Sequence, residues 1–118
     1  MFFKLFVYGT LKRGFRLHSF LKKARYLGEA TLSGFKMYDL GWYPAIVPGK
    51  GCVQGELYEV DWKTLLLIDE VEEEGEEYRR ELLEVELEDG RRLEAFVYVY
   101  LGDVSERLEV KSGRWEKK

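Results

Sequence analysis

Tyr8-Gly9-Thr10-Leu11-Lys12-Arg13-Gly14 follows the apolar-rich run Phe2-Phe3-Lys4-Leu5-Phe6-Val7, and the join between them decides how the chain is organised. The run holds no turn former before Gly9, so it predicts a first strand that ends there. Gly9 has no Cβ and admits a close approach or a positive φ. Thr10 and Leu11 then leave the sheet carrying backbone N–H groups that no neighbouring strand is obliged to pair. Such groups at a strand end form a concave site for an anion or a carbonyl oxygen. Lys12 and Arg13 are expected to add positive charge at its mouth. The stretch is no phosphate loop, because the glycine spacing and the Gly-Lys-Ser/Thr ending are missing.

The 118 residues suit one domain, 1–118, and 46% hydrophobic content is enough for a proper core. No run approaches the roughly 18 uncharged apolar residues of a membrane span. The start, Met1-Phe2-Phe3-Lys4, lacks the layout of a signal peptide, so the cytoplasm is the expected compartment. The single Cys52 cannot form an internal disulfide, which suits that compartment. A net charge of −3 predicts no nucleic-acid footprint. Charged residues make up 35%, Asn is absent and Gln54 is the only Gln, a composition associated with heat adaptation.

Along the chain, Leu17, Phe20 and Leu21 predict a short amphipathic helix over 17–23. Residues 24–38 read as one or two strands bent at Gly28 and Gly34. A turn over 39–44 follows, then a short extended piece between Pro44 and Pro48, then a loop over 48–51. Val53 to Val60 alternate as a strand. Asp61 is a helix N-cap, with Trp62, Leu65 and Leu66 on one face and a stop at Gly75. Leu83, Val85 and Leu87 alternate with Glu84, Glu86 and Glu88, the wet face of a hairpin whose return arm carries Leu93, Ala95, Val97 and Val99. A three-residue loop with Gly90 left-handed pairs Val85 with Leu93, Leu83 with Ala95, and Glu86 with Arg92. The tail has little periodicity, and Trp115 is expected to pin it to the body. The order β, short α, several β, α, long hairpin predicts an α+β fold. Its sheet, antiparallel or mixed, is small enough to curl into a barrel flanked by short helices.

Several of these stretches occur together in one family. Tyr8-Gly9-Thr10-Leu11, then Tyr38-Asp39-Leu40-Gly41, Tyr43-Pro44-Ala45-Ile46-Val47-Pro48 and Val53 to Asp61 appear in order. Ile68-Asp69-Glu70-Val71-Glu72 and Tyr78-Arg79-Arg80 complete the set. The chain resembles the gamma-glutamylcyclotransferase-like family from Phe3 to about Tyr100. The resemblance implies a small β-barrel flanked by helices. It also implies release of an amine from a γ-glutamyl compound as the glutamyl part closes into 5-oxoproline. The family's acid/base glutamate, three residues after the Asp that ends the second helix, falls at Glu72. Its binding loop for the glutamyl end falls at Tyr8, Gly9, Thr10 and Leu11.

Chemically this reaction asks for little. The substrate's own α-amine attacks its own γ-carbonyl, so no enzyme nucleophile is required. One carboxylate can serve both proton transfers if its pKa is raised, and the neighbours Glu70, Glu73 and Glu74, together with burial in the barrel mouth, are expected to raise that of Glu72. The loop amides hold either the α-carboxylate or the γ-carbonyl oxygen. Tyr78 is placed to hydrogen-bond Glu72 or the substrate, and Tyr8 to wall the pocket. The implied partner is a small γ-glutamyl compound whose leaving group stays open. No metal or other cofactor is implied, and one His with one Cys is a poor metal set. A competing reading keeps the pocket as a non-catalytic module for a small carboxylate, and Glu73 beside Glu72 is the feature that points that way. His18 reads as a cap or surface residue and Cys52 as a bland loop residue.

Overall fold

A computed structural model describes residues 1–118. The elements are β1 (Phe2–Val7), a 3-10 turn (His18–Leu21), β2 (Arg25–Asp39), β3 (Pro44–Asp61), α1 (Trp62–Val71), β4 (Tyr78–Leu87), β5 (Arg92–Tyr100) and β6 (Leu108–Val110). The strands are hydrogen-bonded in the order β3-β1-β5-β4-β2, and β2 also pairs with β3, which closes a five-stranded barrel. β1 and β5 run parallel while the other pairs are antiparallel, so the sheet is mixed. Short β6 extends the sheet along β2 at Met37–Asp39, beyond the β4 pairing at Ala30 and Thr31.

Strand periodicity builds two cores. Side chains alternate across a strand, so β1 sends Phe6 and, just past its end, Tyr8 into a cluster drawn from all five barrel strands. Leu5 and Val7 point outward, where Leu65 and Ile68 of α1 and Leu21 of the 3-10 turn cover them. Burial on both faces explains why β1 reads as a nearly continuous apolar run.

The hairpin adopts the expected register, with Val85 opposite Leu93, Leu83 opposite Ala95 and Glu86 opposite Arg92. Gly90 sits at φ +89, the left-handed conformation that its loop requires. Asp61 caps α1, its Oδ1 accepting from the Thr64 N–H at 2.8 Å. β2 is a single strand whose register slips at the two expected places, between Tyr26 and Gly28 and between Ser33 and Phe35. Trp115 is 2% exposed and does pin the tail.

Four local expectations give way to tertiary packing. Residues 48–51 do not form a loop. They continue β3, because β2 runs alongside and pairs Phe35 with Pro48 and Ser33 with Cys52, the excess residues bulging out of β3. The face of α1 that is buried carries Leu65 and Ile68, while Trp62 and Leu66 are about half exposed. The helix over 17–23 shrinks to a 3-10 turn. α1 stops at Val71 rather than Gly75, because Glu72 caps it and Glu73 turns left-handed at φ +51.

Candidate active site

The loop after β1 is held by its carbonyl groups. The Gly9 carbonyl accepts from the Lys12 N–H at 3.1 Å, and the Thr10 carbonyl accepts from the Leu17 N–H at 2.9 Å. The Leu11 carbonyl meets His18 Nδ1 at 2.9 Å, which requires that nitrogen to carry the proton. The N–H groups of Gly9, Thr10 and Leu11 donate to no protein acceptor. In a trans peptide the N–H points opposite to the carbonyl of the same plane. Fixing the Gly9 and Thr10 carbonyls therefore aims the Thr10 and Leu11 N–H groups the other way.

Gly9, Thr10 and Leu11 line a hollow of about 150 Å³ together with Tyr8, Glu72 and Tyr78. Glu72 reaches it because α1 ends one residue earlier and the chain reverses at Glu73. Gly9 is required for packing: a Cβ there would lie 2.8 Å from the Pro44 ring, a rigid neighbour that also lines the hollow.

The tyrosine hydroxyls around Glu72 are committed elsewhere. The Tyr8 hydroxyl donates to the Tyr98 carbonyl, and the Tyr78 hydroxyl donates to the Pro44 carbonyl at 2.6 Å. The Tyr98 hydroxyl donates to Asp69 Oδ1 at 2.6 Å, and Arg80 Nη1 lies 3.1 Å from Asp69 Oδ2. Tyr43 donates to Glu77 Oε1 at 2.6 Å. No side chain hydrogen-bonds to Glu72. Burial pushes its carboxyl up to about 7, and the nearby charge of Glu77 adds to the rise. Burial also raises Tyr8, and the charge of Glu72 raises it further. The hydrogen bond to Glu77 lifts Tyr43 to about 12.

The structure thus gathers Tyr8, Gly9, Thr10, Leu11, Glu72 and Tyr78 around one hollow. Three expectations about their surroundings need correction. Lys12 and Arg13 do not stand at the mouth: Lys12 is 6% exposed and donates to the Trp115 carbonyl at 2.7 Å, and Arg13 lies 3.8 Å from Glu56 and stacks on Tyr26. The charge that raises Glu72 is that of Glu77 rather than of Glu70, Glu73 or Glu74, because the turn after α1 brings residue 77 back to the hollow. The Tyr78 hydroxyl serves the backbone, not Glu72. Glu77, Tyr43, Tyr98 and Arg16 also line the hollow and were not singled out from the sequence. The position of Glu77 next to Tyr78, and of Tyr43 next to Pro44, was the available signal. His18 holds the loop from outside, and Cys52 is an exposed strand residue opposite Ser33.

A family model described as gamma-glutamyl cyclotransferase, AIG2-like, matches residues 5–117. Among relatives, the gamma-glutamylcyclotransferase family protein YtfP of Escherichia coli K12 is 34% identical over 112 residues, 95% of either chain. The crystal structure of an uncharacterized protein from Pyrococcus horikoshii superposes with a TM-score of 0.77 at 38% identity, covering 95% of this chain and 88% of that one. That of an AIG2-like protein from Mus musculus gives a TM-score of 0.79 at 35% identity, covering 89% and 81%. The chain belongs to the gamma-glutamyl cyclotransferase, AIG2-like family, a family named for an enzyme activity.

Proposed function

We propose that this member of the gamma-glutamyl cyclotransferase family is an enzyme that releases an amine or amino acid from a γ-glutamyl compound and forms 5-oxoproline, with Glu72 as the acid/base. Residues 1–118 act as one domain. The observation that carries this reading is a carboxyl poised near neutrality in a hollow lined by three consecutive residues whose backbone N–H groups are unpaired.

The donors of Gly9, Thr10 and Leu11 hold the substrate's α-carboxylate, since three neighbouring N–H groups match an anion with two oxygens. That anchor places the α-ammonium toward Glu72. The Glu72 carboxylate takes a proton from the α-ammonium. The freed lone pair forms a bond to the γ-carbon while the carbonyl π electrons move to oxygen. Protonated Glu72 then gives its proton to the leaving nitrogen, the old C–N bond breaks, and the carbonyl re-forms within the five-membered ring. Two protons pass in all from the α-nitrogen to the leaving nitrogen, which departs as an ammonium, and Glu72 finishes as it began. Tethered attack of this kind reaches effective molarities of ~10⁵–10⁸ M, so the protein needs to supply only position and proton transfer. Tyr8 walls the pocket, and Tyr78 holds Pro44 against Gly9.

A pKa near 7 suits both halves of the task, because a base at that value is partly ionised at neutral pH and its conjugate acid still donates readily. The test is incubation with a panel of γ-glutamyl amines and γ-glutamyl amino acids, with 5-oxoproline as the readout. Its formation by the native chain supports the reading. Binding of panel members without product would leave a module that holds a small carboxylate, and free glutamate as product would mean hydrolysis.

A further inference from the structure

We propose that Lys12 is a positioning residue: through its buried bond to the carbonyl of Trp115, the C-terminal tail holds the Gly9–Leu11 donors in binding geometry. This rests on the reading that those donors take the substrate's α-carboxylate. Lys12 is the point where a local clamp and a long-range anchor meet. Its backbone N–H donates to the Gly9 carbonyl, which orients the Thr10 N–H. Its side chain is 6% exposed and spans a separation of 103 residues to reach Trp115 at 2.7 Å. No carboxylate lies within ion-pair distance of it, and its only other close partner is the face of Phe15, 4.6 Å from the ammonium. Burial lowers the pKa of this ammonium, and the charges of Glu56, Glu116 and Glu29, all beyond ion-pair distance, offset that only in part. A side chain that merely needed packing at this position would be apolar.

The tail is firm enough to serve as an anchor. The Gly113 carbonyl accepts from the Gln54 N–H at 2.8 Å on β3, and Lys117 Nζ lies 2.8 Å from Asp39 Oδ2 at the end of β2. Between them Trp115, the largest fully buried side chain, sits in the barrel core. The anchor carbonyl is therefore fixed to the barrel, and Lys12 carries that fixed point to the turn that presents the donors. Lys12 is absent from the lining of the hollow, so its effect runs through the loop.

The experiment compares Lys12→Met, which keeps the length of the chain but not the donor, with Lys12→Gln, which keeps a donor. With a γ-glutamyl substrate, the Met variant is expected to raise KM about tenfold, the scale of one lost charged hydrogen bond, while kcat stays within about twofold. The Gln variant raises KM less, and the pH at which kcat/KM rises is the same in both. A folded Met variant with unchanged KM, or with kcat falling as far as KM rises, overturns the proposal. Should the Met variant fail to fold, Lys12→Gln decides, because its amide nitrogen sits one bond nearer the backbone than Nζ and falls short of the Trp115 carbonyl: a several-fold rise in KM with kcat kept supports the proposal, and an unchanged KM overturns it. If the native chain forms no 5-oxoproline, the functional reading fails separately, and the loop is followed by NMR. The amide signals of Gly9, Thr10 and Leu11 then shift or broaden in the variant while those of β4 and β5 stay fixed. Unmoved loop amides overturn the positioning role.

Discussion

Replacing Glu72 by Gln removes a charge that the fold accommodates badly, so the substitution that disables the proposed chemistry should also stabilise the protein. Raising a carboxyl from its ordinary 4.5 to about 7 costs the folded state about 3 kcal/mol whenever that group is ionised, at 1.36 kcal/mol per pH unit. The sign follows from proton binding. Between about pH 4.5 and 7 the folded chain keeps the Glu72 proton and the unfolded chain has lost it, so native stability falls as pH rises through that window. Below it, Glu72 is neutral in both states and resembles Gln. Urea unfolding of both proteins at pH 4, 5.5, 7 and 8.5 measures the difference directly. The variant should match the native chain at pH 4 and exceed it by about 3 kcal/mol at pH 8.5. A difference that stays flat with pH, or a variant less stable at pH 8.5, would show that Glu72 is not held in a desolvated site.

Activity should carry the same signature, with kcat/KM rising with pH through about 7 as Glu72 ionises; a profile already flat at pH 5 would contradict the assignment. Glu77→Gln removes the like charge that helps to raise Glu72 and should move that rise to lower pH, whereas an unmoved profile would place Glu77 outside its influence. Gly9→Ala sets a Cβ 2.8 Å from the Pro44 ring and should cost roughly 1–3 kcal/mol of stability and weaken substrate binding, both measurable on the purified variant. Glu73→Gly relieves a left-handed non-glycine residue and should raise stability by up to about 1 kcal/mol; a loss on chemical unfolding would show that the Glu73 side chain contributes more than its backbone costs.

What the sequence made legible was local. The β1 run, the Asp61 cap, the slips at Gly28 and Gly34 and the hairpin register are each set by a few adjacent residues, and each appears where those residues predict it. The motif residues Tyr8 to Leu11, Glu72 and Tyr78 also meet around one hollow. What stayed hidden depended on partners far along the chain. Pro48 to Gly51 look like a loop until β2 is laid beside them. Lys12 looks like a surface charge, and only the tail, about a hundred residues on, draws it inward. Glu77 reads as one acid in a run, and its neighbourhood with Glu72 exists only because the turn after α1 folds back. α1 ends before Gly75 because a left-handed glutamate, Glu73, breaks the helix first.

The most direct measurement is the rate of 5-oxoproline formation from one accepted γ-glutamyl substrate by native protein and by Glu72→Gln, at saturating substrate and pH 8. Loss of the acid/base group should slow the variant by about 10²–10⁴-fold while it still binds substrate. A variant that turns over at the native rate would remove Glu72 from the chemistry and contradict the account.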